Sequence, residues 1–555
     1  MNGYDSNLSR RDFLKKTGSA AVICATSSIA PGLASAAQKI GSDMDVIIRG
    51  GLIYDGSSGE PFIADIGINK DRIAAIGNIT GSAGKIIDAS GLIVAPGFLD
   101  VHTHCDLTFK RSGSMRYLSY IMPSWKGNFN YLSQGVTTVV TGNCGWGYTE
   151  IEQWFGILDS LDFGTNVCHM APHGDTREKL FGMAVRISLS AAELENLKSK
   201  IADEVSNGAV GFSTGLGYSP GIDTPTDEII AIAKAVRSKG GIYATHIRNE
   251  SGMIMPSGQP GDVEAIREAI EIGRRAEIPV EISHLKISAP INSLKADAIL
   301  GLIEKARSEG LMIHADQYPY NAGSTTISVL LPNEFIFGIG VKDVYKTADG
   351  RKQIKSAIEK TFEFLPPEKT VVTFYRDHPS YEGKNLRDIA EAESKTPADV
   401  YAELVCSSDP PDCVFFDQDE TIVSQLMPHD YILTASDGFT VPKGMMKPHP
   451  RVYGTFPRKI RKYVLEDKLL GLKEAISSMT SVPAQKINLK GRGRITEGNF
   501  ADIAVINLNS IRDLSTYTDP HQYSKGVEYV LVNGVVSIDK GIFTGERGGR
   551  PVGRS

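Results

Sequence analysis

The chain has 555 residues, 41% hydrophobic and 22% charged, with 56 glycines and 27 prolines. These fractions exclude a collagen-like, low-complexity or largely disordered chain, and the length suffices for a large core or several domains. The formal net charge is −6 with no basic tract beyond the N-terminus, so the electrostatic footprint of a nucleic-acid binder is missing. Six cysteines, at 24, 105, 144, 168, 406 and 413, include no C-x-x-C pair and are too few to frame a disulfide scaffold.

The first predicted element is a segment to be set aside. Ser9-Arg10-Arg11-Asp12-Phe13-Leu14-Lys15 precedes a modestly apolar run, Ala20–Ile29, and Ala34-Ser35-Ala36 offers a small-residue cleavage site. Residues 1–36 therefore read as a twin-arginine signal peptide, engaging the twin-arginine translocation machinery. The run falls short of the ~20 apolar residues of a membrane span. The expectation is a periplasmic or secreted protein with no integral membrane segment after signal removal. The mature net charge would be −8, because residues 1–36 carry four Lys/Arg and two Asp.

Residues 44–95 read as short strands separated by Gly, Asn and Asp turns: Asp45–Arg49, Arg72–Ile76 and Leu92–Val94. Strand signals return within 490–550, at Ala501–Ile506, Tyr529–Val532 and Val535–Ser537. The two ends are expected to pair as one small β-sandwich domain. Between them, 96–489 alternates. Helical periodicity runs over about 191–207, 226–239, 262–277 and 293–308, with Thr226 as a cap. Short apolar runs follow each helix, and Phe212, His246, His284 and Asp316 are 34, 38 and 32 residues apart. That rhythm is produced by a repeated βα unit. With Phe98–Val101, Val136–Thr141, Asn166–His169 and Tyr431–Asp437, eight parallel strands are predicted, the count of a (β/α)8 TIM-type barrel. The rhythm breaks within roughly 320–430, which predicts an insertion or lid.

In such barrels chemistry sits at the C-terminal strand ends. There stand His102 and His104, Cys144, His246, His284 and Asp437. Residues i and i+2 of a strand point to one side, so His102 and His104 can share a cavity. A single H-x-H is a weak signal, but five ligand-type residues at successive strand ends are a strong one. Thiolate with imidazole favours zinc over magnesium or calcium. Cys144 lies in the glycine-flanked Gly142-Asn-Cys-Gly145, which admits close backbone approach, and Cys105 should point away. Asp437 is the candidate to take a proton from water and pass it to a leaving group. His314 reads as a core or supporting histidine. Gly211-Phe-Ser-Thr-Gly215 matches the G-x-S-x-G nucleophile elbow, but Leu216-Gly-Tyr-Ser-Pro220-Gly221 cannot start the helix that elbow requires, so Ser213 is not expected to be a nucleophile.

Taken in order, these pieces resemble the amidohydrolase superfamily, and within it the N-acyl-D-amino-acid deacylase (D-aminoacylase) family. The matching segments are Pro96–His104, Gln134–Thr138, Gly142–Gly145, Gly208–Leu216, Tyr243–Glu250, Ile282–Lys286, Asp316–Tyr320, Thr434–Asp437, Gly498–Ile503 and Val532–Gly534. The resemblance implies a tight zinc at Cys144, His246 and His284, and a weaker second metal at His102 and His104 with Cys144 shared. It further implies that Lys286, Tyr318 and Ser324 hold the free carboxylate of a small-molecule substrate. Pro172-His-Gly-Asp-Thr-Arg177 departs from the family's pattern after the third barrel strand. The expected reaction is zinc-dependent hydrolysis of a linear amide, giving a carboxylate and a D-amino acid. The same metal chemistry on a dipeptide, cyclic amide, lactone or xenobiotic amide is the alternative, and a non-catalytic binding protein is a third reading that the His/Cys/His set with Asp437 opposes.

Overall fold

The computed structural model describes residues 41, 43–110, 118–182, 188–288, 293–331 and 341–554; the expected export signal at 1–36 lies outside them. The chain opens with β1 (Met44–Ile53), β2 (Phe62–Asn69), β3 (Arg72–Gly77), β4 (Ala83–Asp88) and β5 (Ile93–Pro96). β1 lies antiparallel to β2, while its first half runs parallel to β4 and its second half parallel to β5, with a register break between Ile48 and Gly51.

The barrel follows: β6 (Phe98–Asp100), β7 (Val136–Thr141), β8 (Asn166–Pro172), β9 (Gly211–Gly215), β10 (Ile242–His246), β11 (Val280–Ile282) and β12 (Ile313–Gln317). An insertion carries β13 (Gly323–Thr326), β14 (Thr370–Phe374) and β15 (Asp412–Phe415) as an antiparallel sheet in the order β13-β15-β14, over its own core of Ile327, Ile354, Leu386, Val400 and Tyr401. β16 (Ile432–Thr434) then completes eight parallel strands in the order β16-β12-β11-β10-β9-β8-β7-β6. The seam between last and first strands is closed by Asp437 N–H donating to His102 O at 3.0 Å and His104 N–H to Gly438 O at 2.7 Å.

β17 (Ile503–Ile506), β18 (Val527–Val532), β19 (Val535–Asp539) and β20 (Ile542–Phe543) return the chain to the first sheet, β17 pairing antiparallel with β5 so that Val94 faces Val505. Both chain ends thus share one nine-stranded sheet. Strand alternation divides its side chains. Val94, Ile503 and Val505 join Ile48, Ile66 and Ile68 in the sheet's own core, whereas Ile93, Ala95, Ala504 and Ile506 pack towards Phe98, Val139 and Trp154 of the barrel.

Barrel strands such as Val136-Thr-Thr-Val-Val-Thr141 are buried throughout, as parallel strands covered on both faces must be. Leu99, Val140, Met170, Val210, Ile242 and Leu433 fill the bore. Phe212, Tyr243, Val280 and Ile313 face outward onto Ile229, Ala233, Ile266 and Ile299 of the surrounding helices. The expected helices form at Ala191–Ser206, Thr226–Ser238, Gly261–Ala276 and Ser293–Ser308. One detail differs: Thr226 is the first helical residue, following Pro225, and its hydroxyl donates to Glu268 at 2.7 Å instead of capping.

Candidate metal and catalytic site

The strand ends bring the expected ligands together. The donor atoms of His102, His104 and Cys144 all lie within 4.8 Å of one another, and so do those of Cys144, His246 and His284. Cys144 Sγ is 3.2 Å from His102 Nε2 and 3.5 Å from His284 Nε2, and His246 Nδ1 is 3.0 Å from His284 Nε2. Two three-donor groups therefore share one thiolate. That donor set fits zinc: soft sulfur and imidazole at close quarters, with a carboxylate, Asp437 Oδ1, 3.2 Å from His104 Nε2 and 3.6 Å from His102 Nε2.

The loop that presents Cys144 is built for it. Gly142 and Gly145 both have φ near +75°, and a Cβ at Gly142 would stand 2.2 Å from Met170 O. Ser213, fully buried, donates to Gly142 O at 2.5 Å and accepts from Gly145 N–H at 2.9 Å. The serine of the rejected elbow motif is a brace for the cysteine loop. Tyr218 donates to Cys144 O at 2.6 Å, and its ring lies 4.3 Å from Trp146 and 4.8 Å from the His246 ring, forming an aromatic wall beside the ligands.

Electrostatics support the donor assignment. Burial alone would push the Cys144 thiol up, but the charges of His102 and His284 outweigh it and hold the thiol well below its ordinary 9.0. Asp437 is likewise held well below the carboxylate range: burial opposes ionisation, and Arg451, at 2.9 Å from Oδ2, with His104 overcomes it. Cys105 is buried and pushed up to about 11 by that burial, which agrees with its exclusion from the ligand set.

Lys286 Nζ lies 3.3 Å from His284 Nδ1 and pairs with Glu250 at 2.5 Å. Tyr318 OH accepts from Gln418 at 3.1 Å, and Arg451 stacks 4.6 Å above the Tyr318 ring while reaching Ser324 O at 3.4 Å. Tyr318 and Ser324 therefore share a wall with Arg451. In the departing segment after β8, His173 and Arg177 both pair with buried Glu228, at 3.3 and 3.1 Å, while Asp175 N–H donates to Gly145 O at 3.0 Å beside the cysteine loop. His169 is held between Thr141 and Tyr148 O, both at 2.8 Å. His314 carries no ligand contact among the described residues and is pushed down to about 4 by burial.

Four charged residues of the site had no role in the sequence reading. Asp316 sits 3.3 Å from His102 Nδ1 and accepts from His284 N–H at 2.8 Å. Glu250 faces His246 and His284, Arg451 holds Asp437, and Asp417, whose Oδ1 accepts from Gly323 N–H at 3.1 Å, enters from the insertion. Glu250 stands in the sequence reading only within a matched segment, and Asp316 only there and as a marker of the βα rhythm.

A parallel eight-stranded barrel with imidazole, thiolate and carboxylate donors at its C-terminal mouth defines a metal-dependent hydrolase of the amidohydrolase class. A family model described as "Amidohydrolase family" matches residues 425–538. The chain is 31% identical over 542 residues to a D-aminoacylase from Alcaligenes xylosoxydans xylosoxydans, covering 93% of this chain and 99% of that protein. It superposes on an N-acyl-D-glutamate deacylase from Bordetella bronchiseptica, solved with zinc and a phosphonate mimic of the tetrahedral intermediate, at TM-score 0.77 and 29% identity, over 93% of this chain and 100% of that one. A D-aminoacylase with a binuclear metal centre, in which one metal activates and the second attenuates, matches at TM-score 0.75 and 30% identity, over 92% and 100%. The chain belongs to the N-acyl-D-amino-acid deacylase family of amidohydrolases, metal-dependent enzymes that hydrolyse C–N bonds other than peptide bonds.

Proposed function

We propose that the protein deacylates N-acyl-D-amino acids, releasing a carboxylate and the free D-amino acid, with zinc held by Cys144, His246 and His284 and a weaker second site at His102, His104 and the same Cys144. The observation that carries this reading is a cationic anchor, Lys286, 3.3 Å from Nδ1 of His284, whose Nε2 is 3.5 Å from the shared thiolate, with ionised Asp437 3.2 Å from His104 in the same cluster. An N-acyl amino acid needs that arrangement, because its carboxylate carbon is two bonds from the amide nitrogen. Zinc bound at such a site lowers the pKa of water towards ~7 and polarises the amide carbonyl. Asp437, kept ionised by Arg451, accepts the proton of the attacking water and returns it to the departing nitrogen. Lys286, Tyr318 and Ser324 fix the substrate carboxylate and so the face of the Cα presented to attack. Trp146 and Tyr218 provide an apolar surface beside it.

The motif at 9–15 and the small-residue site at 34–36 support export through the twin-arginine route, which would place the enzyme in the periplasm or outside the cell. Among the described residues no helix is long and apolar enough to cross a membrane.

The test pairs N-acetyl-D- with N-acetyl-L-amino acids on zinc-loaded protein, alongside Asp437→Asn. D-selective amino acid release that falls by ~10²–10⁴ in Asp437→Asn, with zinc retained, is the expected result. Zinc binding without turnover of either enantiomer would transfer the same chemistry to a different bond.

A further inference from the structure

Each ligand histidine has two ring nitrogens, and only one can face a metal. A neutral imidazole binds through one nitrogen when its proton stays on the other, and the partner of that other nitrogen sets tautomer and ring orientation. In this site His284 directs Nε2 towards Cys144 and His246 directs Nδ1 towards the same point, which leaves His284 Nδ1 and His246 Nε2 facing outward. Both outward nitrogens meet one carboxylate. Glu250 Oε1 lies 3.1 Å from His284 Nδ1, and Glu250 Oε2 lies 3.6 Å from His246 Nε2.

The same Oε1 is 2.5 Å from Lys286 Nζ. Glu250 stands four residues after His246, beyond the end of β10, so a single short loop fixes its reach to all three groups. Asp417 also acts on Lys286, but the ligand histidines find their carboxylates elsewhere: Asp316 beside His102 and Glu250 beside His246 and His284.

We propose that Glu250 is a positioning residue that serves two masters: it orients His246 and His284 as metal ligands and holds Lys286 where the substrate carboxylate must dock. This rests on the functional reading above. Its consequence is that one substitution weakens two separable properties. Loss of the carboxylate frees both rings to rotate or change tautomer, and also releases the ammonium from its fixed position.

The experiment measures zinc affinity by competition with a chromophoric chelator, and kcat and KM at saturating zinc for an N-acetyl-D-amino acid, in wild type, Glu250→Gln and Lys286→Met. Glu250→Gln should weaken zinc 10–100-fold, the range for loss of a carboxylate behind a ligand histidine, and raise KM more than it lowers kcat. Lys286→Met should raise KM while zinc affinity stays within twofold of wild type. Glu250→Asp keeps the charge one methylene short; it should give a smaller loss in both properties, and it carries the test if the glutamine variant does not fold. Zinc affinity unchanged within twofold in the Glu250 variants, or weakened equally in Lys286→Met, overturns the inference while leaving the functional reading intact. Failure of the wild type to bind zinc overturns both.

Discussion

Cys144, His284 and Asp437 share a backbone property: their φ angles are +56°, +37° and +47°. Left-handed conformations cost a non-glycine residue about 1–2 kcal/mol, and they persist where the surroundings over-determine them. Here barrel strands and bracing hydrogen bonds do so. Asp437→Asn is thus a clean probe of charge, because asparagine tolerates this region. Ser213→Ala tests the bracing. It leaves Gly145 N–H and Gly142 O without their partner at a cost of about 1–3 kcal/mol, and should lower zinc affinity several-fold through the loosened Cys144 loop, as chelator competition would reveal. The six residues at strand ends were legible in the sequence because His and Cys are scarce and the βα rhythm located each one. Glu250, Asp316 and Arg451 were not, since carboxylates and arginines are common and their contacts depend on loop conformation and on partners up to 214 residues distant in the case of His102 and Asp316.

Elements were read well where periodicity is strong. The face Ile229, Ile230, Ala233 and Val236 is buried as its spacing requires. Element ends were less secure: β8 continues to Pro172, three residues past the predicted end, and Thr226 begins its helix rather than capping it. One element-scale feature escaped altogether. Lys459 starts a π-helical turn, Lys459–Glu466, with its side chain fully buried and donating to Thr434 Oγ1 at 2.8 Å and Ser478 Oγ at 2.9 Å. Burial pushes its pKa from 10.5 down to about 7. Between those values the unfolded chain binds more protons than the folded one, so stability rises with pH across that window and is flat below it. Removing the titrating amine, as in Lys459→Met, should flatten the pH dependence of Tm between about 7 and 10.5 relative to wild type, a comparison thermal melts can make directly.

At the scale of the whole molecule, sheet and barrel are fastened by a buried polar network. Asp502 accepts from Asn166, from Asn533 N–H and from Arg492, while Asn533 donates to Asn166 and accepts from Arg550. Beyond it, residues 550–552 run beside Val167, exchanging backbone hydrogen bonds with it. The sequence announced that the two β-rich ends would pair, yet not this fastening, which needs the register of four distant segments. The insertion was visible only as a break in rhythm, and its fold depends on long-range pairing of β13 with β15. Metal contributes at this scale too. Free zinc at 100 times its Kd stabilises the folded state by about 2.7 kcal/mol, so chelation should lower Tm by a few degrees in wild type and by much less in Cys144→Ala.

The closing seam of the barrel bears on how the protein is made. Asp437 is synthesised 335 residues after His102, which at ribosomal speeds of about 5–20 residues per second is a delay of roughly 17–67 s. Only for the last 153 of those residues, after His284, does the nascent chain contain the cysteine and all four histidines of the candidate metal site while still lacking Asp437, an interval of about 8–31 s. The donors are therefore complete before the proposed proton carrier, and a chain cut short between residues 284 and 437 carries all five without it.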